Sequence, residues 1–81
     1  MTVQEEHDIS EMLKCLDVLD DRRRIVIVQR FGLDGGGIRT LKKVGMFLGI
    51  TTERVRVLQY TALWRMKRES KKRLATEEVK V

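Results

Sequence analysis

The sequence predicts an all-α fold, a small domain of four helices, and three observations carry that prediction. No Pro occurs in the 81 residues, and the six Gly lie only at 32–37, 45 and 49. Long stretches therefore run without a breaker, which favours helices over many short strands. Apolar residues recur at helical spacing, and Asp or Thr stands at the head of each periodic stretch as a candidate cap. The length allows one domain with a modest core. With only Phe31, Phe47, Tyr60 and Trp64 as aromatics, that core must be mostly Leu, Ile, Val and Met.

Residues 1–7 read as a flexible N-terminus, 8–75 as the folded domain and 76–81 as a flexible tail. The first helix is expected over 8–17, with Ile9, Met12, Leu13 and Leu16 on one apolar stripe and Asp8 with Glu11 resembling a capping box. Asp20 and Asp21 open a second helix, where negative charge is favourable. Its run Ile25-Val26-Ile27-Val28 is β-branched and taken alone suggests a strand. It lies, however, in a stretch without breakers, with caps before it and Gly32 after it, and is read as helix. Val26, Ile27 and Phe31 are its expected core contacts. Asp34-Gly35-Gly36-Gly37 reads as a flexible connector, since it lacks the spacing and the Lys-Ser/Thr ending of a phosphate-binding loop. Thr40 caps a third helix, 41–48, with Leu41, Val44 and Leu48 inward. Thr51 caps a fourth, from 52 into the low 70s, with Val55, Leu58, Ala62 and Met66 inward.

The segment 41–60 has the pattern of a helix-turn-helix. Gly45 falls where two helices approach closely, and Gly49 falls in the turn, where positive φ is easiest without a Cβ. Val44, Leu48, Ile50, Val55 and Leu58 fall at the buried positions. Agreement at seven positions without an insertion is more specific than a lone glycine pattern. The plain alternative is an ordinary helical hairpin. At about 100° per residue, the outer face of the last helix carries Glu53, Arg56, Val57, Tyr60, Trp64 and Lys67, with Thr52 on its flank. Arg56 suits guanine or a phosphate, Glu53 cytosine N4, and Val57 a thymine methyl. Arg54 sits to one side, toward backbone or an acid. Thr40 and the amides after it suit a phosphate.

The net charge of +5 conceals an asymmetry. Residues 1–21 carry seven acids and one base, whereas 22–73 carry fifteen bases and three acids. Such a basic stretch is the footprint of a polyanion binder, or else a solvated basic face. One Cys rules out a disulfide framework and fits a reducing, cytoplasmic setting. One His and one Cys give no credible metal site, and no cofactor is expected. No apolar run reaches membrane length, so no membrane partner is expected. Nothing resembles a nucleophile–base pair, so no catalytic residue is assigned and an enzyme is the remotest reading.

The pieces Arg30-Phe31-Gly32-Leu33-Asp34, Thr40-Leu41-x-x-Val44-Gly45, Gly49-Ile50-Thr51 and Glu53-Arg54-Val55-Arg56, followed by Ala62-Leu63, lie in order without a gap. From Leu16 to Met66 the chain resembles region four, the −35-binding domain, of bacterial primary-type sigma factors. That resemblance implies a helical domain that docks on the β flap of RNA polymerase and presents its last helix to double-stranded promoter DNA. Activators and anti-sigma factors are further implied partners. It also implies backbone contacts at Arg22, Arg30, Thr40 and Leu41, and base reading at Thr52, Glu53 and Val57. The DNA-binding set expected is therefore Arg22, Arg30, Thr40, Leu41, Thr51, Thr52, Glu53, Arg54, Arg56, Val57 and Tyr60. The family usually has Arg at the Thr52 position and Gln at the Val57 position. Lys42-Lys43 replaces a usual acidic pair, Gln59 a usual Glu and Glu69 a usual Pro.

Those exchanges leave Val57, Tyr60 and Trp64 at i, i+3 and i+7 on the face expected to be wet. An aromatic stripe of this kind suits a protein interface, with DNA contact and internal packing as the alternatives. Two functions compete: a promoter-binding sigma domain, or a protein-interaction module on the same fold that no longer reads the −35 element. The residues of the other sigma regions are absent from this stretch, so it is not expected to open a promoter alone. Met1 begins either a short natural protein or a fragment.

Overall fold

Polar caps set where the helices begin, and three of those the sequence offers are used. The structure, a computed structural model, describes residues 11–79, with side chains to residue 75. Within it, 11–13 are helical, Leu16–Val18 form a 3-10 turn, and three longer helices follow. They are α1 (Asp21–Arg30), α2 (Leu41–Leu48) and α3 (Thr52–Val79). Asp20 accepts from the Arg23 amide at the head of α1, and Thr40 from the Lys43 amide at the head of α2. Thr51 does the same for the Arg54 amide at 3.1 Å. Each such bond satisfies one of the amides a helix start leaves without a partner.

The ends follow from backbone chemistry as well. After α1, Leu33 N–H donates to the Val28 carbonyl at 2.9 Å and Gly32 N–H to Gln29 at 3.4 Å, the paired bonds of a Schellman stop. After α2, Gly49 adopts φ +70°, and Ile50 N–H returns to the Gly45 carbonyl at 2.9 Å. Among the described residues nothing comparable interrupts α3, as no Gly or Pro follows residue 49. It therefore runs to Val79, past the low 70s where its end was expected. The tail assigned to 76–81 is thus helical in backbone through 79, and 80–81 lie outside the described residues.

The first helix departs from expectation. It was placed over 8–17; among the described residues 11–13 are helical, and the chain then tightens into bonds of i→i+3 type, Cys15 to Met12, Val18 to Cys15 and Leu19 to Leu16. Tightening from 3.6 to three residues per turn changes which side chains face inward. Cys15 and Leu19, absent from the expected stripe, become 1% and 3% exposed. Residues 1–7, Asp8 of the expected cap and Ile9 of the stripe lie outside the described residues.

Two apolar clusters share α1 and α3. Ile27, Ala62 and Met66 join Cys15 and Leu19, while Val26, Val55 and Leu58 join Val44 of α2. Adjacent residues of α1 thus point into different clusters, and the β-branched run works as a helix wedged between partners. Burial of Ile27, Leu58 and Met66 contributes about 1.5–3 kcal/mol each. Phe31, expected in the core, is 39% exposed. It sits just past α1, and the glycine-rich stretch after it carries few side chains to cover its ring. That stretch, expected as a loose connector, is tied in place. Asp34 accepts from the Gly36 amide at 3.0 Å and pairs with Arg39, whose own amide donates to Gln29 at 3.2 Å.

Candidate nucleic-acid interface

The close approach of α2 and α3 begins at a missing side chain. A Cβ at Gly45 would stand 2.8 Å from the Ile50 carbonyl oxygen and 3.4 Å from Val55 Cγ2. No methyl fits there without moving backbone. Val44, Val55 and Leu58, all at or below 1% exposure, lock the crossing from inside, with Leu41, Leu48 and Ile50 packed around them. The pair is a helix-turn-helix, as its spacing predicted.

Arginines hold this pair on the rest of the fold. Arg30 Nε donates to Gln59 Oε1 at 2.8 Å and its Nη1 to the Arg39 carbonyl, joining α1, α3 and the loop before α2. Arg23 Nε donates to Thr61 Oγ1 at 2.8 Å, a second strut from α1 to α3. Arg24 reaches back to the carbonyls of Leu16 and Leu19, and Arg73 to Asp17 and Glu69. With Arg39, which pairs with Asp34, at least five of the fifteen bases in 22–73 serve the fold, and the polyanion footprint is smaller than composition implied. Arg30, expected on the DNA backbone, is itself committed to these internal acceptors. Sequence reasoning missed this because a guanidinium fork suits a carbonyl as well as a phosphate.

The outer face of α3 is built as its periodicity indicated. Thr52, Glu53, Arg54, Arg56, Val57 and Tyr60 are exposed, and so is Trp64. Glu53 and Arg56 do not stand apart, however, because their side chains form an ion pair at i, i+3. Trp64 is not packed inside: it is 55% exposed, with the Arg68 guanidinium 5.5 Å from its ring centroid. Two open clefts flank it, one of about 650 Å³ lined by Val18, Arg65, Arg68, Glu69 and Lys72, the other of about 340 Å³ lined by Lys67, Arg68 and Lys71. Arg22, Thr40, Lys42, Lys43 and Thr51 are exposed at helix starts, and Leu41 is half-buried.

Two further features were not read from the sequence. Met46 and Phe47 on α2 are 74% and 67% exposed, and Phe47 borders a mostly apolar groove with Ile25 and Val28 of α1. Their spacing gave the signal, since neither matches the inward positions Leu41, Val44 and Leu48.

Electrostatics bind the acidic N-terminal part to this frame. The Arg73 guanidinium holds the Asp17 carboxyl below the usual carboxylate range. Partial burial opposes ionisation of Asp20, but bonds from the Arg23 side chain and amide outweigh it and lower its pKa. The Gly36 amide and Arg39 lower Asp34. Burial pushes the Cys15 thiol up. Among the described residues no cluster of His, Cys, Asp or Glu could hold a metal ion, and no helix is long and apolar enough to cross a membrane.

A glycine-tight turn, a basic helix start and an exposed second helix put this domain in the helix-turn-helix class. Residues 15–68 match the family described as Sigma-70, region 4, and the chain belongs to that family. It is 40% identical over 75 aligned residues to the RNA polymerase sigma factor SigA of Listeria monocytogenes, covering 86% of this chain and 20% of that protein. The same figures hold for SigA of Listeria innocua. The chain thus spans a fifth of the length of these curated relatives.

Proposed function

We propose that the chain is a promoter-recognition domain of sigma type, binding double-stranded −35 DNA in the major groove and the β flap of RNA polymerase. The observation that carries this reading is the α2–α3 crossing at Gly45, which leaves the N-terminal half of α3 projecting with its polar face open. Arg54, with Arg22 and the starts of α2 and α3 at Thr40, Leu41 and Thr51, then meets phosphates, and Arg56 is within reach of a phosphate or a base edge. Thr52, Glu53, Val57 and Tyr60 face base edges. Arg30 acts from behind, through Gln59, by fixing how α3 is held. The groove between Ile25, Val28 and Phe47 suits an apolar helix of the polymerase. The name of the SigA relatives, RNA polymerase sigma factor, supports the polymerase as a partner, and the site of action is then the cytoplasm, with no catalytic role.

A second reading has its own observation. Val57, Tyr60 and Trp64 are 43%, 71% and 55% exposed on one stripe, and such a stripe suits an activator or anti-sigma factor. The readings separate in one experiment. Binding to a −35 consensus duplex and to a randomised pool is measured across a salt series. Sequence enrichment with a steep salt dependence supports promoter reading, and a salt-sensitive but sequence-blind curve sinks it. Tyr60→Ala with Trp64→Ala tests the second: if capture of polymerase or regulator is unchanged while DNA binding falls, the stripe is not a protein interface.

A further inference from the structure

How α3 would read bases follows from three side chains on its first two turns, and the inference rests on the reading that these turns enter a major groove. Thr52 is too short to reach across a base edge. Arg56 stands one turn further on, at i+4, so the two share a face. Helical side chains lean toward the N-terminus, and the Glu53 carboxylate grips the Arg56 guanidinium from that direction. The pair draws the guanidinium back toward the turn that carries Thr52, while the Arg56 side chain remains 58% exposed. Val57, next along the helix, is 43% exposed. Its side chain carries no donor or acceptor.

We propose that this chain reads its duplex with Arg56, steered by Glu53, against a guanine, and with Val57 against the C5-methyl of a thymine. A guanidinium presents two parallel N–H donors that match the O6 and N7 acceptors of guanine. Glu53 is a positioning residue: it orients that fork before DNA arrives, and its carboxylate also lies where a cytosine N4 amine can donate. Val57 can distinguish one base from another only by apolar contact, and in the major groove the thymine methyl is the one apolar group on offer. Covering a single methyl is worth about a fourfold preference. Loss of a bidentate guanine contact is worth far more, about five- to 150-fold. The preferred site is therefore anchored by a guanine and tuned by a thymine.

The test begins with selection of the 81-residue chain against a randomised duplex pool. Fluorescence anisotropy follows on the enriched duplex, with deoxyuridine replacing each thymidine in turn, which removes the methyl and nothing else. The expected result is one position where that exchange weakens wild-type binding about fourfold and leaves Val57→Ala unaffected. Val57→Gln moves the preference there from thymine to adenine, because an amide pairs with adenine N6 and N7. Glu53→Gln lowers discrimination at the guanine even though loss of a negative charge on that face raises non-specific binding, and Arg56→Ala abolishes that discrimination. These three residues are exposed, and circular dichroism confirms that each of the four variants folds. An enriched sequence insensitive to every methyl removal, or unchanged guanine discrimination in Arg56→Ala, overturns this inference alone. A pool that stays unenriched overturns the promoter-reading proposal, and this inference with it.

Discussion

Gly45 is a glycine for reasons of space and Gly49 for reasons of backbone conformation, and the expected consequences differ accordingly. At Gly45 an added methyl meets the Ile50 carbonyl oxygen at 2.8 Å, so backbone must move. At Gly49 nothing lies within 4 Å of a Cβ, and only the φ of +70° resists a side chain. Gly49→Ala should therefore cost about 1–2 kcal/mol of stability. Gly45→Ala should cost about 1–3 kcal/mol and also open the α2–α3 crossing. Urea denaturation measures the first quantity for both variants. DNA affinity separates them, since only Gly45→Ala re-aims α3, and equal loss of affinity in both would contradict this account. Both roles were legible in the sequence, because a glycine pattern at fixed offsets encodes local geometry. The pairing of Arg56 with Glu53 was not, because i, i+3 spacing allows an ion pair but does not oblige one at an exposed site.

At the scale of elements, α3 is one helix with two kinds of support. Its start depends on Thr51, whose hydroxyl accepts from the Arg54 amide at 3.1 Å. Thr51→Ala should lower stability by about 1 kcal/mol, read by chemical denaturation, and should fray the turn that carries Thr52 and Glu53. Thr51→Ser keeps the acceptor and should retain most of the stability; equal loss in both variants would mean the cap bond contributes nothing. The middle of α3 depends on struts from α1, Arg23 to Thr61 and Arg30 to Gln59. Helix starts at Asp20, Thr40 and Thr51 were readable because a cap is a local bond between near neighbours. The break-up of the first helix was not. Its periodicity suited 3.6 residues per turn, and what selects the tighter turn is the docking of Cys15 and Leu19 against Met66 and Ala62, some fifty residues away in sequence.

For the molecule as a whole, charge links stability to pH and DNA binding to salt. Asp17, Asp20 and Asp34 all have folded-state pKa values below their ordinary ones. The unfolded chain then binds more protons in the acid range, so stability falls as pH falls. The contribution is intact above the ordinary aspartate value of about 3.9 and is lost as pH drops through the lowered folded values. Thermal melts below about pH 4 should show a falling Tm, with a shallower fall in Asp17→Asn. An unchanged slope in that variant would remove Asp17 from the explanation. In the other direction, the exposed bases predict that log K for DNA falls linearly with log salt. Arg54→Ala should reduce that slope by about one while weakening all sequences alike. A sequence-selective loss would instead make Arg54 a base reader.

What the sequence by itself determined is the part that rests on near neighbours: three helix starts, the glycine turn, the inward line Val55, Leu58, Ala62 and Met66, and the family. These are short-range patterns, and a bond or clash between residues a few positions apart is written in their order. Only the tertiary structure decided which arginines serve the fold, that Phe31 faces outward, and that Cys15 and Leu19 face inward. A guanidinium finds carbonyls or phosphates according to what folding brings beside it, and a ring is buried only if another element arrives to cover it. Both depend on contacts between residues distant in the chain, which composition and spacing do not record.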